Sequence, residues 1–320
     1  MVPSPPALEV VSLAKRFSGR DGISDVSMSV EAGSITGFIG ANGSGKSTTL
    51  RCILGMLRAD AGEVSLFGAR AGLQQRRRVG FMPEERGLFA HERAREAIAF
   101  HGRLKGMKRR DAFQAADRLL ARVGLGGREK ARIGSLSKGN AQRVQMLCAL
   151  VHGPSLLLLD EPLSGLDPVA QAEMLSLFAE FRAAGGAILF STHVMAAAET
   201  LCDRVVMLAC GRTVFEGTLS GASALAPHGA VVVTADPVGL AAAAAVLGGA
   251  VQPIGSRLGE ACRWRVVLPK GVAHPALLQA LAARGVSIFS FEQIKPDLEA
   301  AFWQLADAGA SGGAGKLRAA

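Results

Sequence analysis

The chain has 320 residues, of which 49% are hydrophobic and 20% charged, and its formal net charge is +9 at pH 7. This is the composition of a globular protein with a sizeable core, and it excludes a wholly disordered chain. The longest apolar run, residues 239–251, is mostly alanine and glycine and is too short for a transmembrane helix, which needs about 20 strongly apolar residues.

The positive charge is spread along the chain, with short clusters at residues 76–78 and 108–110. Because no aromatic residues are interleaved with these clusters, as a base-stacking surface requires, we expect solvated faces and no nucleic-acid partner. Attraction to anionic lipid or to a membrane partner is the second interpretation. The five cysteines lack metal-ligand spacing and indicate reduced thiols, and no secretory signal precedes the first strand, so we expect a cytoplasmic protein.

Strand and helix patterns alternate over the first two thirds of the chain. Apolar segments predict strands at Leu8–Leu13, Gly22–Val30, Ser34–Ile39, Leu156–Leu159, Ala187–Phe190 and Val205–Ala209. A helix with apolar residues at Leu50, Ile53, Leu54 and Leu57 follows the third strand, and helical patterns dominate residues 92–152. This alternation predicts an α/β fold with a mostly parallel sheet.

The composition changes after Gly217. Residues 218–229 suit a linker between a first domain at 7–217 and an accessory domain at 230–307. The accessory domain shows a βαββαβ pattern plus a last helix, which predicts a small ferredoxin-like α+β fold. The glycine- and alanine-rich tail, 308–320, is expected to be disordered.

A glycine-rich segment between the third strand and the first helix predicts a phosphate-binding loop. It reads Gly40-Ala41-Asn42-Gly43-Ser44-Gly45-Lys46-Ser47, followed by Thr48. Glycines let successive N–H groups turn inward to phosphate oxygens, and the following helix adds a positive N-terminus. Lys46 is expected to reach the β- and γ-phosphates and Ser47 to bind Mg²⁺.

The buried Leu run at 156–159 ends in two carboxylates. Asp160 is placed to hold the Mg²⁺ shell, and Glu161 to polarise the attacking water.

Seven segments in this order resemble the motifs of the nucleotide-binding subunit of ABC transporters. Phe17 matches the adenine-stacking aromatic residue, Gly40–Ser47 matches Walker A, and Gly80–Glu84 matches the Q-loop region. The signature motif matches Leu136-Ser137-Lys138-Gly139-Asn140, followed by Gln142-Arg143-Val144. Walker B matches Leu156–Glu161, the D-loop matches Ser164-Gly165-Leu166-Asp167, and the switch region matches Ser191-Thr192-His193. The resemblance covers about residues 8 to 217 and implies a P-loop NTPase cassette with a helical subdomain at about 88–152.

The resemblance also implies the cofactors and the site. It implies ATP and Mg²⁺, with catalytic roles for Glu161, His193 and Glu84, and with Glu84 joining Ser47 and Asp160 at the metal. Ser137, Lys138, Gly139 and Asn140 lie at the positive end of a predicted helix, which suits an anion. The resemblance implies that they act on ATP held by a second copy. A homodimer is therefore expected, with Asp167 coupling its two sites.

Three residues depart from the commonest family pattern: Lys138 in place of Gly, Asn140 in place of Gln and Glu84 in place of Gln. The segments Pro83–Leu88 and Lys295–Phe302 resemble a subset of bacterial ABC-2-type export ATPases with a short extra C-terminal domain, often linked to sodium or drug efflux. Since Glu161 and His193 are both present, we expect an active ATPase.

The leading functional hypothesis is a transport ATPase, peripheral on the inner face of the cell membrane, that drives a separate permease through the surface between Glu84 and about Arg110. The alternative is a soluble cassette ATPase acting on ribosomes or DNA. Such proteins usually carry two cassettes or a long coiled coil, whereas this chain has one unsplit cassette and no sustained heptads. The C-terminal domain is expected to be regulatory or to stabilise a dimer.

Overall fold

The computed structural model describes residues 5–18, 20–85, 87–226, 228–258, 261–269, 271–294, 297–310 and 317–318. The chain divides into two compact units, Met1–Leu219 with Gly309–Ala320, and Ser220–Ala308. Parts of three predictions lie outside the described residues: Arg86 in the segment 83–88, residues 295–296 in the C-terminal stretch, and most of the tail at 308–320.

The first unit contains a mixed sheet with eleven strands among the described residues. They are β1 (Leu8–Phe17), β2 (Arg20–Val30), β3 (Ile35–Ile39), β4 (Ala61–Leu66), β5 (Ala69–Arg70), β6 (Val79–Met82), β7 (Leu156–Asp160), β8 (Ala187–Thr192), β9 (Arg204–Ala209), β10 (Arg212–Thr218) and β15 (Leu317–Arg318). The strand order is β5-β4-β1-β2-β10-β9-β3-β8-β7-β6, and β15 pairs with β10.

Five neighbouring strands, β9, β3, β8, β7 and β6, are parallel to one another. Every residue of β3, β7 and β8 is buried, as expected for strands covered on both faces, and this explains the uninterrupted Leu run at 156–159. Because parallel strands end at one edge, the loops after β3, β6, β7 and β8 meet there. The α/β prediction with a mostly parallel centre is confirmed.

Among the described residues of the first unit, seven α-helices accompany these strands: α1 (Lys46–Ile53), α2 (Leu73–Arg77), α3 (Ala94–Leu104), α4 (Arg109–Arg122), α5 (Lys138–Leu150), α6 (Pro168–Ala183) and α7 (Met195–Leu201). Helix α8 (Leu219–Ser223) follows β10, where the chain passes from the first unit to the second. Helices α3, α4 and α5 share a separate apolar core that includes Ile98, Leu120 and Leu147. These three helices form the helical part of the first unit, and α5 also contacts β6.

The second unit is a four-stranded antiparallel sheet with helices. Its elements are β11 (His228–Thr234), α9 (Pro237–Val246), β12 (Ala250–Leu258), β13 (Ala261–Leu268), α10 (His274–Ala282), β14 (Ile288–Gln293) and α11 (Leu298–Ala310). The strand order β12-β13-β11-β14 is that of a split βαβ, or ferredoxin-like, arrangement. Its core includes Val232, Leu240, Val266 and Leu277.

Several local features differ from the sequence predictions, including strands β4, β5, β6 and β10, which the patterns did not predict. Helix α1 ends at Ile53, so Leu54 and Leu57 follow it and pack partly buried against the core instead of continuing the helix. Gly55, at φ 71°, turns the chain away at that point. The segment 218–229, predicted as a linker, contains α8 and the start of β11.

Candidate active site

Four loops at the carboxyl edge of the parallel strands bring the predicted site residues together. The phosphate loop follows β3, Glu84 follows β6, Glu161 follows β7 and His193 follows β8. A cavity of about 470 Å³ lies at this edge. It is lined by Phe17, Gly22, Asn42, Gly43, Ser44, Gly45, Lys46, Ser47, Thr48, Glu84, Asp160 and Glu161.

The phosphate loop reaches α1 through a left-handed residue. Gly45, the N-cap of α1, has φ 106°, a conformation that L side chains rarely adopt, and a Cβ there would lie 2.5 Å from the Ile23 side chain. The first turn of α1 contains no acidic residue, so its N–H groups and partial positive charge remain available to an anion. This loop can therefore hold a phosphate group.

The Lys46 ammonium is buried inside the loop. Its Nζ donates to the carbonyl of Gly40 at 2.7 Å and of Ala41 at 3.3 Å, and lies 3.7 Å from Oε1 of Glu161. The Lys46 and Glu161 side chains are only 7% and 6% exposed. A buried charge needs such partners, and a phosphate oxygen would offer the ammonium a stronger one.

Glu161 has two charged or polar neighbours. Besides Lys46, its Oε1 lies 2.9 Å from Nδ1 of His193. Glu161 also has φ 48°, an uncommon conformation for a residue with a side chain. Such strain concentrates at functional sites, where the surrounding structure holds it in place.

Ser191, at the end of β8, contacts both carboxylate residues. Its Oγ donates to Oδ1 of Asp160 at 2.5 Å and accepts the Glu161 N–H at 3.0 Å. One hydroxyl group thus orients Asp160 and fixes the backbone of Glu161. The switch motif includes Ser191 but gives no sign of this orienting role. The signal that could have revealed it is the parallel pairing of β7 with β8, which sets Asp160 beside Ser191.

Three oxygen-bearing side chains at the cavity fit a magnesium ion. Ser47, Glu84 and Asp160 all line it, and Asp160 has one carboxylate oxygen that accepts no hydrogen bond from a described residue. No cluster of three or more His, Cys, Asp or Glu residues among the described residues could hold a metal by itself. Mg²⁺ is usually held by one or two carboxylates together with substrate phosphates and water, so a sparse set of protein ligands suits it.

Phe17 forms an exposed aromatic wall of the same cavity. Its side chain is 43% exposed, and the Lys15 Nζ lies 6.0 Å from the ring centroid. Asp60 fixes this end of β1 by accepting the Arg16 N–H at 2.7 Å and the Lys15 ammonium at 2.9 Å. The Arg16 N–H and then Lys15 lower the pKa of Asp60. Phe17 is therefore available for stacking on a flat base.

The predicted signature residues do not line the cavity of their own chain. Ser137 is the N-cap of α5 and accepts the Asn140 N–H at 3.3 Å, and Lys138, Gly139 and Asn140 form the first turn. Gly139 packs close to Ala170 of α6. The Lys138 ammonium lies against Gly165, in the space that a side chain on Gly165 would occupy.

Asp167 is the N-cap of α6, and its Oδ1 accepts the Ala170 N–H at 2.9 Å. The structure thus places the signature and D-loop segments side by side, and none of their residues lines the cavity of the phosphate loop.

Among the described residues, no helix has the length and apolar character needed to cross a membrane. All five cysteines are free thiols, and burial raises the pKa of Cys148 and Cys202.

Comparisons with known proteins agree on one family. A sequence profile described as ABC transporter matches residues 23–164. An ABC transporter ATP-binding protein of Methanocaldococcus jannaschii is 35% identical over 214 residues, covering 67% of this chain and 78% of that protein. The Nod factor export ATP-binding protein I of Rhizobium leguminosarum bv. viciae is 35% identical over 217 residues, covering 67% of this chain and 70% of that protein.

A solved structure, described as the ATP binding subunit of an ABC transporter, superposes with a TM-score of 0.63 at 33% identity. The match covers 68% of this chain and 92% of that structure.

Proposed function

Because this chain belongs to the ABC transporter family of ATP-binding proteins, we propose that it couples ATP hydrolysis to the work of a separate membrane permease. The observation that carries the proposal is a cluster at the phosphate loop, in which the buried Lys46 and Glu161 lie 3.7 Å apart and the exposed His193 contacts Glu161. It combines a phosphate-binding cation with a carboxylate and an imidazole at the same edge of the sheet.

In this proposal each group at the cavity has a role in hydrolysis. Phe17 stacks on adenine, the N–H groups of the loop bind the phosphates, and Lys46 moves from the Gly40 and Ala41 carbonyls to the β- and γ-phosphates. Glu161 orients and polarises the attacking water, and His193 contacts the γ-phosphate while hydrogen-bonded to Glu161. Mg²⁺, held by Ser47, Asp160 and Glu84, supplies charge neutralisation at the phosphates.

The complete site needs a second copy of the chain. The α5 N-terminus, with Ser137 and the Gly139 N–H, is a suitable anion site, but it does not line its own chain's cavity. Two copies paired head to tail would place the signature residues of each against the γ-phosphate held by the other, with Asp167 near both sites. Bound ATP would then hold the two copies together, and its hydrolysis would let them separate.

A surface near the Glu84 segment suits a membrane partner. A groove of about 370 Å³ lies between the end of α1, β6 and helices α3 and α5, and its lining includes Met56 and Leu104, each 64% exposed. The nearby Phe89 is 66% exposed. Exposed apolar side chains beside a groove are typical of a protein interface. We infer that a cytoplasmic segment of the permease docks there, which would place the chain at the inner face of the cell membrane.

We infer that the transport is export, because a relative is the Nod factor export ATP-binding protein I. We assign the chain to the ABC-2-type subset because its Pro83–Leu88 segment resembles that subset. We further propose that the second unit regulates the ATPase or stabilises its dimer.

The proposal is tested by isolating the tagged chain from its native host in mild detergent and identifying what accompanies it. An integral membrane protein should co-purify, and replacing Met56 and Leu104 by Asp should release it while ATP binding persists. Recovery of the chain wholly in ribosomal fractions, absent from membranes, would overturn the proposal in favour of a soluble cassette ATPase.

A further inference from the structure

Helix α5 contains a buried glutamine whose position calls for a polar function. Gln145 is 5% exposed, while Val144, Met146 and Leu147 around it are fully buried apolar residues. Burying a primary amide costs free energy unless protein hydrogen bonds replace those made to water. The partners of this side chain therefore identify what the helix holds.

Both hydrogen-bond acceptors of the Gln145 amide lie in the segment 83–85, which contains Glu84. Its Nε2 donates to the carbonyl of Pro83 at 2.8 Å and to the carbonyl of Glu85 at 3.1 Å. These carbonyls stand on either side of Glu84, so the two N–H bonds of one amide fix the backbone from which the Glu84 side chain departs. Glu84 lines the cavity that also contains Ser47 and Asp160.

The same helix begins at the signature residues. Ser137 is its N-cap, and Gly139 in its first turn packs against α6. One turn before Gln145, the Nε2 of Gln142 donates to the carbonyl of Pro162 at 2.8 Å, the residue after Glu161. Helix α5 thus joins the signature end to the backbone beside both Glu84 and Glu161.

We propose that Gln145 is a positioning residue that holds Glu84 at the metal side of the cavity and ties its placement to the signature helix. This rests on the proposed function, because Glu84 matters only if the cavity hydrolyses ATP. A displacement of α5 on contact with a second copy would reach Glu84 through two short hydrogen bonds.

The test measures ATP hydrolysis by the full chain carrying Gln145→Met, which keeps the side-chain size and removes both donors. We expect kcat to fall roughly 10- to 100-fold, since small misplacements of a catalytic group have effects of that order. The Mg²⁺ concentration for half-maximal rate should rise, while the Kd for ATP measured without Mg²⁺ should change less than about threefold. The matched control is Gln114→Met on the exposed face of α4, which should behave as the unaltered chain.

A double-mutant cycle with Glu84→Ala separates positioning from a general loss of structure. If Gln145 acts through Glu84, adding Gln145→Met to Glu84→Ala should lower kcat no further. An equal loss of kcat in both backgrounds, or an unchanged Mg²⁺ requirement in the single variant, would overturn the proposal. If Gln145→Met unfolds, the shorter Gln145→Asn, which cannot reach both carbonyls, replaces it in the same cycle.

The unaltered chain serves as the reference for the proposed function. Absence of ATP hydrolysis by that chain would refute both the proposed function and this inference, whereas hydrolysis with independent effects of the two substitutions would refute the inference alone.

Discussion

Glu161 is the residue on which the chemistry of the site converges. Its carboxylate lies 3.7 Å from the Lys46 ammonium and 2.9 Å from the His193 ring, and its backbone N–H is held by Ser191. A nucleotide would draw Lys46 toward its phosphates, which leaves Glu161 with His193 and room for a water molecule. The backbone of Glu161, at φ 48°, carries the strain that is typical of functional sites.

Replacing this carboxylate by an amide of the same size tests its role. Glu161→Gln should lower kcat by about 10²- to 10⁴-fold, because the amide cannot accept the proton of the attacking water. The Kd for ATP should stay within about threefold, since the phosphate loop is untouched. Steady-state hydrolysis and binding of a fluorescent ATP analogue measure the two effects. Undiminished turnover would remove Glu161 from the mechanism.

The aromatic wall of the cavity depends on a glycine opposite it. A Cβ at Gly22 would lie 2.5 Å from the Lys15 carbonyl oxygen and 2.9 Å from the Phe17 ring. Gly22→Ala should therefore displace Phe17 and weaken ATP binding about tenfold, within the 1–3 kcal/mol typical of base stacking.

Tripolyphosphate provides the control for this variant, because it has no base. Its inhibition constant should be the same for the Gly22→Ala chain and the unaltered chain. Equal weakening of ATP and tripolyphosphate would show that the substitution disturbs the phosphate loop and not the stacking wall.

At the scale of elements, the turn after α5 places a neutral histidine against β6. Both ring nitrogens of His152 are buried, and a contact with the Val79 backbone in β6 only partly offsets the effect of burial on the pKa of the ring. Burial first, and then the charge of Lys105, lower the pKa of His152 from 6.5 to about 4. Lys105 itself has a pKa lowered by burial, and it donates to the carbonyls of Arg76 and Val79.

This histidine should make stability depend on pH. Below its ordinary pKa of 6.5 the unfolded chain binds a proton that the folded chain does not, so the His152 contribution to stability falls as pH drops toward about 4. Between about pH 7.5 and pH 5, the Tm of the unaltered chain should fall more than that of His152→Gln. The exposed His91→Gln is the control and should follow the unaltered chain. Parallel curves for all three proteins would contradict a neutral buried His152.

The sequence patterns predicted strands β3, β7, β8 and β9 and missed β4, β5, β6 and β10. The buried parallel strands carry long apolar runs, such as Leu156–Leu159, which few other structures produce. Strand β4 has one buried residue among six and β5 has only two residues, both exposed, so neither shows an apolar periodicity that predicts a strand. The end of α1 was placed too late because Leu54 and Leu57 continue the helical spacing while packing from a turn.

The residues of the site were easier to predict than the contacts that orient them. Lys46, Asp160 and Glu161 lie in motifs whose spacing carries the chemistry. The positions of Ser191 and Gln145 depend on pairing between strands and on packing of a helix against a loop, which local patterns do not encode. Sequence alone therefore predicts candidate reacting groups, while the hydrogen bonds that hold these side chains become visible only in the structure.

At the scale of the whole molecule, the main feature is that the signature residues do not line the cavity of the phosphate loop. The phosphate loop faces its cavity with Glu84 and Glu161, whereas Ser137 and Gly139 begin a helix elsewhere in the same unit. Two identical chains paired head to tail in a closed dimer would form two complete sites, one at each phosphate loop. Such two-fold dimers are the commonest oligomers. The unit of function would then be the dimer.

The most direct test of ATP bound between two copies is complementation between two inactive chains. Lys46→Ala removes the phosphate grip and Ser137→Arg blocks the signature end, so a pair made of either variant alone contains no intact site. When the two are mixed in equal amounts and pair at random, half of the pairs are mixed and each mixed pair has one intact site. The mixture should then recover about a quarter of the wild-type rate of ATP hydrolysis. A mixture as inactive as its components, or full activity of Ser137→Arg alone, would contradict a site shared between two chains.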